Sequence, residues 1–203
     1  MKRLAIIVAA FLGACAAPAK EQPDDGVRAE AALKQAFEGA DPKIVARVLE
    51  QDDVQRLCTR YRDAPPPEVA QSILEMSRAS IRYPESGVLM GDWKRGKAIA
   101  EELSGMRFGD LATKPNGGNC YACHQIEARE TAFGTVGPSL RAYGVLRGSS
   151  EAMQRLTYAR IYNAQAFTAC ATMPRFGHNG VLTPEQIVNL VAYLLDPASP
   201  VNQ

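Results

Sequence analysis

The sequence lacks an excess of either charge, a long apolar run and a strand-like alternation of residues. Lys and Arg together number 23 and Asp and Glu number 22, which leaves a formal net charge of +1. Nucleic-acid binding needs a concentrated basic face, and this balance gives it no support. The apolar run at residues 4–12 is far shorter than the roughly 20 residues of a membrane-spanning helix. No other run approaches that length, so we expect no transmembrane helix in the mature protein.

Because no segment alternates apolar and polar residues, strands are not expected. Apolar residues instead recur at helical spacing in several places, and 46% of the residues are hydrophobic, which is enough for a core. A length of 203 residues suits one globular domain, or one domain with an extension. We therefore predict an all-α fold.

The first residues have the features of an export signal, which we place at residues 1–19. A basic start, Lys2 and Arg3, precedes the short apolar run. Two processing routes remain open. The segment 12–15 resembles a bacterial lipoprotein box, in which cleavage precedes Cys15 and that cysteine is acylated, whereas the segment 17–19 suits ordinary signal peptidase. Either route predicts a periplasmic protein that contacts the membrane only through a lipid anchor, if one is attached.

Residues 20–90 are expected to form a polar tether and a helical extension. Helical spacing and caps predict four short helices there, at about 27–37, from Pro42, from Asp53 and at about 68–80. The three prolines at 65–67 must end the third of these, because proline has no amide hydrogen.

Residues 91–203 are expected to form a separate domain. Asp92 can cap a helix that runs to about Leu103, with Leu103 on its buried side. Thr183 with Pro184 begins a strong C-terminal helix, which has an apolar stripe and ends before Pro197. Gly96 lies inside the first of these helices, where glycine costs up to about 1 kcal/mol relative to alanine. We expect the C-terminal helix to cross closely at Gly96; the alternative is a tolerated surface glycine.

The most specific motif is C-x-x-C-H at residues 120–124. In an exported protein this spacing is typical of covalent haem attachment through Cys120 and Cys123, with His124 as an iron ligand. A redox dithiol or a zinc knuckle is the alternative for a bare C-x-x-C pair. The motif occurs once in the chain, so we predict one haem c.

An iron in an electron carrier usually has a sixth ligand. Met173 lies in a proline-containing, non-helical stretch before the C-terminal helix, which suits a rigidly held thioether, and we predict it as that ligand. The other candidates are Met76, Met90, Met106, Met153 and His178, and His178 is the main rival. Met76 and Met153 fall at helical spacing and are expected in the core, and Met106 is a weaker loop candidate.

A Gly-Pro turn follows the haem motif. The carbonyl of Pro138 can accept the Nδ1 hydrogen of His124 and fix its ring, and Leu140 is expected to pack on the ring edge of the haem. The alternative is an ordinary turn without this role.

The remaining cysteines are Cys58 and Cys170, an even number in an oxidising compartment. A disulfide between them is one hypothesis, and two buried free thiols are the other. Neither cysteine has a sequence setting that favours a reactive thiolate, so we identify no catalytic nucleophile.

Residues 91–197 together resemble a small monohaem cytochrome c, and the chain is similar above all to the SoxX family, a cytochrome subunit of sulfur oxidation. The extension before residue 91, with Cys58 and prolines 65–67, resembles the longer members of that family. The segments that carry the resemblance are residues 118–125, 137–140, 161–167, 173–180 and 195–202.

This resemblance implies a heterodimer with the SoxA cytochrome. That complex joins thiosulfate to a cysteine of the SoxYZ carrier and releases two electrons, so it is an L-cysteine S-thiosulfotransferase. In the family the reactive cysteine belongs to SoxA, and the SoxX chain is a redox subunit that relays electrons to a downstream acceptor. Two other functions are open: a free-standing periplasmic cytochrome c shuttle, and a haem-based sensor or peroxidase with an open iron site.

Overall fold

The computed structural model describes residues 25–40, 42–106 and 114–203. Within those ranges the chain is helical and contains no strand, which confirms the predicted all-α fold. The helices are α1 (Asp25–Ala36), α2 (Pro42–Leu49), α3 (Asp53–Arg60), α4 (Pro67–Ala79), α5 (Trp93–Glu101), α6 (Tyr143–Arg147), α7 (Glu151–Tyr162) and α8 (Pro184–Leu195).

The chain divides into two compact units, Met1–Glu50 and Gln51–Gln203. The first includes α1 and α2, and the second includes the other six helices. The predicted domain boundary between residues 90 and 91 stays a prediction. The predicted leader, with Cys15, lies outside the described residues, and no helix within them is long and apolar enough to cross a membrane.

The centre of the second unit is the crossing of α5 and α8. A Cβ atom at Gly96 would lie 2.0 Å from the backbone oxygen of Asn189 and 2.7 Å from Cβ of Tyr193. Only glycine allows the two backbones to approach so closely, which confirms the close crossing predicted from the sequence. The amide of Asp92, which caps α5, also donates to Oδ1 of Asn189 at 2.9 Å.

Helix α8 is the most buried element of this unit. Thr183 and Gln186 form a capping box at its start, with Pro184 at the first helical position, as the sequence predicted. Its residues then line the main core together with Tyr158 and Tyr162 of α7. The helix ends at Leu195, one residue before the predicted stop at Asp196 and Pro197.

A second, smaller core lies between α3, α4 and the loop after α7. Val54 and Cys58 of α3 and Ile73 of α4 are buried there with Cys170. Cys58 and Cys170 form a disulfide, with Cα atoms 5.5 Å apart. This bond joins the helical extension to the segment that leads to Met173.

Two features differ from the sequence predictions. Leu103 was expected on the buried side of α5, but it lies beyond the end of that helix and is 57% exposed. Helix α7 was not delimited from the sequence, because its C-terminal half is buried on several sides and therefore shows no one-sided apolar stripe.

Candidate haem-binding site

The two cysteines of the C-x-x-C-H motif lie on a single tight turn. Asn119 adopts a left-handed backbone conformation (φ 44°), and a 3₁₀ turn follows at Cys120–Ala122. The amide of His124 donates to the carbonyl of Cys120 at 2.9 Å, which closes the turn. Both thiols are free, although the other two described cysteines are bonded to each other. The turn therefore brings two cysteine sulfurs and an imidazole together from five consecutive residues.

The end of α5 holds this turn in place. The amide of Gly118 donates to the carbonyl of Ile99 at 2.8 Å, and that of Asn119 donates to the carbonyl of Glu102 at 3.1 Å. A Cβ at Gly118 would come within 2.8 Å of the Cys120 sulfur, so a small residue is needed beside that thiol.

The Cys120 sulfur does not have the setting of a redox dithiol. Burial raises the pKa of the Cys120 thiol to about 12, because the thiolate loses solvation. Catalytic C-x-x-C pairs depend on the opposite shift, toward a lowered pKa. Burial of Cys120 therefore disfavours the thiolate on which the dithiol alternative depends.

The imidazole of His124 is oriented by the Gly-Pro turn. Its Nδ1 atom lies 2.7 Å from the carbonyl oxygen of Pro138. Since a carbonyl only accepts, Nδ1 carries the hydrogen, and the lone pair on Nε2 is left for a metal. This is the contact expected from the sequence, and such a bond fixes the ring and increases its basicity.

Gly137 makes this orientation possible. A Cβ at Gly137 would lie 2.2 Å from Cε1 and 2.5 Å from Nδ1 of His124, so the ring packs directly on the glycine backbone. The amide of Gly137 donates to the carbonyl of Cys123 at 2.8 Å, and that of Leu140 donates to the carbonyl of Gln125 at 2.8 Å. The side chain of Leu140 is partly buried against the main core.

Met173 lies in a non-helical segment between α7 and α8. Its side chain is partly buried and packs against the main core. The following chain is fixed by Tyr162, whose carbonyl accepts from the amides of Gly177 and His178, both at 3.1 Å. The thioether therefore sits on an irregular but well-bonded segment.

The other candidate ligands have different surroundings. Met153 packs against the main core and Met76 against the smaller one, as expected for core residues. Met106 has a left-handed backbone (φ 62°) next to residues that are not described. Nε2 of His178 lies 3.4 Å from Oδ2 of Asp52. The structure thus gives the rival imidazole a carboxylate partner of its own.

Asp52 also binds a buried arginine. Nη2 of Arg175, whose side chain is 5% exposed, lies 2.7 Å from Oδ2 of Asp52. Burial opposes the charge of Asp52, but Arg175, the amide of Gln55 and His178 together lower its pKa below the ordinary value. Sequence reasoning missed this contact, because nothing local to either residue indicates it.

A hydrogen-bonded chain behind the haem motif was also missed. The hydroxyl oxygens of Tyr121 and Tyr193 are 2.6 Å apart, Tyr193 donates to Glu127 at 2.7 Å, and Lys97 donates to the same carboxylate at 2.6 Å. Burial raises the pKa of Tyr121 to about 12, and burial also raises the pKa of Tyr193 above its ordinary value. In the sequence, the only indication of this chain is the position of Tyr193 beside the apolar stripe of α8, which predicts a buried hydroxyl group that needs a partner.

These residues fit a covalently attached haem. Two free thiols and an oriented imidazole are the donor set that attachment and iron ligation need. In addition, Nη1 of Arg175 is buried and has no hydrogen-bond acceptor among the described protein atoms. A guanidinium donor two residues from Met173 suits the carboxylates that a haem carries.

The comparisons with known proteins agree with this fit. The cytochrome c family pattern matches residues 94–196, just over half of the chain. The chain is also similar to an uncharacterized lipoprotein of Aquifex aeolicus (strain VF5), with 41% identity over 190 residues that cover 91% of this chain and 88% of the relative. The chain therefore belongs to the cytochrome c family, whose members carry covalently bound haem c and transfer electrons.

Proposed function

We propose that this chain is an exported one-electron carrier with a single haem c, attached through Cys120 and Cys123 and ligated by His124 and Met173. The observation that carries the proposal is the pairing of cysteines. The disulfide takes Cys58 and Cys170 and leaves the C-x-x-C thiols free, and beside them the Pro138 carbonyl orients His124 at 2.7 Å. Bound haem would supply an iron that gains and loses one electron.

The protein residues would keep that iron in one geometry. The hydrogen bond from His124 to Pro138 fixes the imidazole, and the bonded segment after α7 holds the Met173 thioether. Methionine as the second ligand raises the reduction potential relative to a second histidine. A site held in this way needs little rearrangement when the electron moves.

We further propose that the chain is the SoxX-type redox subunit of a SoxAX complex. In that reaction a carrier cysteine thiol and thiosulfate form a sulfur–sulfur bond, releasing one proton and two electrons, and this chain would take the electrons one at a time. The proposal is supported by the resemblance of residues 161–167 and 173–180. These include Asn163, which is fully buried and donates to Oγ of Ser80 in the extension at 3.0 Å.

A free-standing periplasmic shuttle is the second candidate function. It is favoured by the cytochrome c match, which by itself requires no partner subunit. The two candidates differ in one outcome: only the SoxAX subunit should purify with a second haem protein, SoxA, from the periplasm of cells grown on thiosulfate. Haem staining of the purified complex would show one stained band for the shuttle and two for the subunit.

The lipoprotein name of the Aquifex relative supports the lipoprotein route for the leader. We propose that Cys15 becomes the acylated first residue and anchors the protein at the periplasmic side of a membrane. Labelling with a radioactive fatty acid should mark the wild-type protein and not Cys15→Ala, whereas equal labelling, or none in either, would contradict the anchor.

Haem attachment is tested by intact mass. The purified protein should exceed its polypeptide mass by one haem, and Cys120→Ser/Cys123→Ser should lack that added mass. The matched control is Cys58→Ser with Cys170→Ser, which removes two cysteines remote from the motif and should retain the haem mass. A wild-type mass without the added haem would end the proposal.

The sixth ligand is tested by the oxidised spectrum. Met173→Ala should abolish the methionine–iron charge-transfer band near the red end, whereas Met76→Ala, in the smaller core, should keep it. An unchanged band in Met173→Ala would refute the ligand assignment. Strong binding of carbon monoxide by the reduced wild type would instead favour an open-site sensor or peroxidase.

A further inference from the structure

The segment that carries Met173 is attached to the α3–α4 extension on both sides of the methionine. Cys170, three residues before Met173, is bonded to Cys58 of α3. Arg175, two residues after Met173, is paired with Asp52 at the start of the same helix. Helix α3 precedes the part of the chain that matches the cytochrome c pattern, which begins at residue 94. The attachment is therefore a feature added to that domain.

Asp52 makes its contacts with both carboxylate oxygens. Oδ1 accepts from the amide of Gln55 at 2.8 Å and caps α3, while the side chain of Gln55 accepts from the amide of Asp52 at 3.0 Å. This leaves Oδ2 to face Arg175 at 2.7 Å and His178 at 3.4 Å. The helix cap thus fixes the direction in which the second oxygen points.

In the contact with Arg175, the arginine is the buried partner. Its side chain is 5% exposed, whereas that of Asp52 is 39% exposed, and a buried guanidinium without a charged partner is strongly unfavourable. Removing the Asp52 charge would leave Nη2 of Arg175 buried without the carboxylate that it contacts, even where Nη1 donates to a haem carboxylate. The segment would then have to open to solvate Nη2, and Met173 lies within that segment.

The contact with His178 involves a competing iron ligand. The chain has two histidines, and His178 is the one not adjoining the cysteines. It lies five residues after Met173, and imidazole is the commonest metal-binding side chain in proteins. In the structure its Nε2 atom is turned to Oδ2 of Asp52. A freed segment would release both the methionine and this imidazole.

We propose that Asp52 is a positioning residue that selects the sixth ligand: by holding Arg175 and His178, it keeps Met173 on the iron and His178 away from it. The inference rests on the proposed ligation by His124 and Met173. It assigns to the extension a role in the redox site, although α3 contains no residue of the haem motif.

The test is Asp52→Asn in the haem-loaded full chain. Asparagine caps a helix as well as aspartate does, so α3 should keep its start. The single side-chain oxygen of the introduced asparagine would accept from the Gln55 amide, as Oδ1 of Asp52 does. Its NH₂ group would then face Arg175 and His178, and it cannot accept a hydrogen bond from either. The matched control is Asp53→Asn, which removes a neighbouring carboxylate that pairs with Arg56 on the exposed side of α3.

Asp52→Asn should lose most of the methionine–iron band, gain the low-spin spectrum of two histidine ligands and show a lower midpoint potential. Asp53→Asn should retain the wild-type band and potential. In the double variant Asp52→Asn/His178→Ala the two-histidine spectrum should not form, and the reduced protein should bind carbon monoxide. An Asp52→Asn spectrum and potential equal to those of Asp53→Asn would overturn the proposal.

A second measurement leaves Asp52 unchanged, in case Asp52→Asn does not accumulate. In a denaturant titration of the wild type, loss of the methionine band should produce the two-histidine spectrum, and His178→Ala should not produce it. Identical spectra for the two proteins throughout the titration would overturn the role of His178. Failure of the ligand proposal is distinguishable, because the band would then survive Met173→Ala in the otherwise unchanged protein.

Discussion

At the residue scale, the packing of His124 on Gly137 gives a sharp prediction. A methyl group at position 137 would overlap the imidazole, so Gly137→Ala should displace the ring and weaken its bond to the Pro138 carbonyl. We expect a loss of about 1–3 kcal/mol in the free energy of unfolding, as for other overpacked sites. The reduction potential should rise, because a less basic imidazole stabilises oxidised iron less.

The measurements are urea unfolding and a redox titration of the haem-loaded protein. Ser139→Ala is the control, since its exposed hydroxyl makes only long contacts in the same turn, donating to Gln125 at 3.3 Å and accepting from the amide of Arg141 at 3.4 Å. That substitution should change stability by less than about 0.5 kcal/mol. Equal stability of Gly137→Ala and Ser139→Ala would show that the ring does not depend on the glycine.

Residues close in sequence were predictable at this site, and distant ones were not. The motif at 120–124 and the Pro138 carbonyl follow from local spacing and from the known needs of a ligating histidine. The pairing of Asp52 with Arg175 and His178 depends on how α3 packs in the tertiary structure. A single sequence carries no local signal for such a contact.

At the scale of elements, the crossing of α5 and α8 is the contact on which the haem turn depends. Gly96→Ala would place a methyl group 2.0 Å from the Asn189 carbonyl, so the helices must separate. Alanine favours a helix by up to about 1 kcal/mol over glycine, but overpacking of backbone against backbone outweighs this gain. We expect a net loss of about 2–3 kcal/mol in the free energy of unfolding.

Chemical denaturation of Gly96→Ala and of Ala98→Ser, on the exposed side of the same helix, measures this effect. The control should change stability by less than about 0.5 kcal/mol. Because Ile99 and Glu102 at the end of α5 hold Gly118 and Asn119, Gly96→Ala should also lower the yield of haem attachment. A stabilised Gly96→Ala protein would mean that the glycine is merely tolerated.

Elements with strong end signals were predicted well. Asp92 caps α5 and Thr183 begins α8 because side-chain caps and N1 prolines are local features. Helix α7 has a good cap in Ser150, but the buried residues of its second half surround the helix. A pattern search for one apolar face therefore does not delimit it, and Leu103 was misplaced by extending the α5 stripe past the true end of the helix.

At the scale of the whole molecule, the disulfide closes a long loop of chain. Cys58 and Cys170 are separated by 112 residues, so the bond links the extension to a segment that follows the haem motif in the sequence. In the chain-entropy account a loop of this size restricts the unfolded chain enough to stabilise the fold by about 4–5 kcal/mol. The haem thiols are not involved, so its removal should leave haem attachment intact.

We therefore expect Cys58→Ala/Cys170→Ala to unfold at a markedly lower denaturant concentration than the wild type, with the same haem mass. A reductant should lower the wild-type midpoint toward that of the double variant and leave the variant itself unchanged. Val54→Ala, in the same small core, controls for lost packing: it should be less stable than the wild type yet still respond to the reductant. If the reductant did not change the denaturant midpoint of the wild type, the disulfide would contribute nothing to stability. The extension would then be held by packing and by the contacts of Asp52 alone.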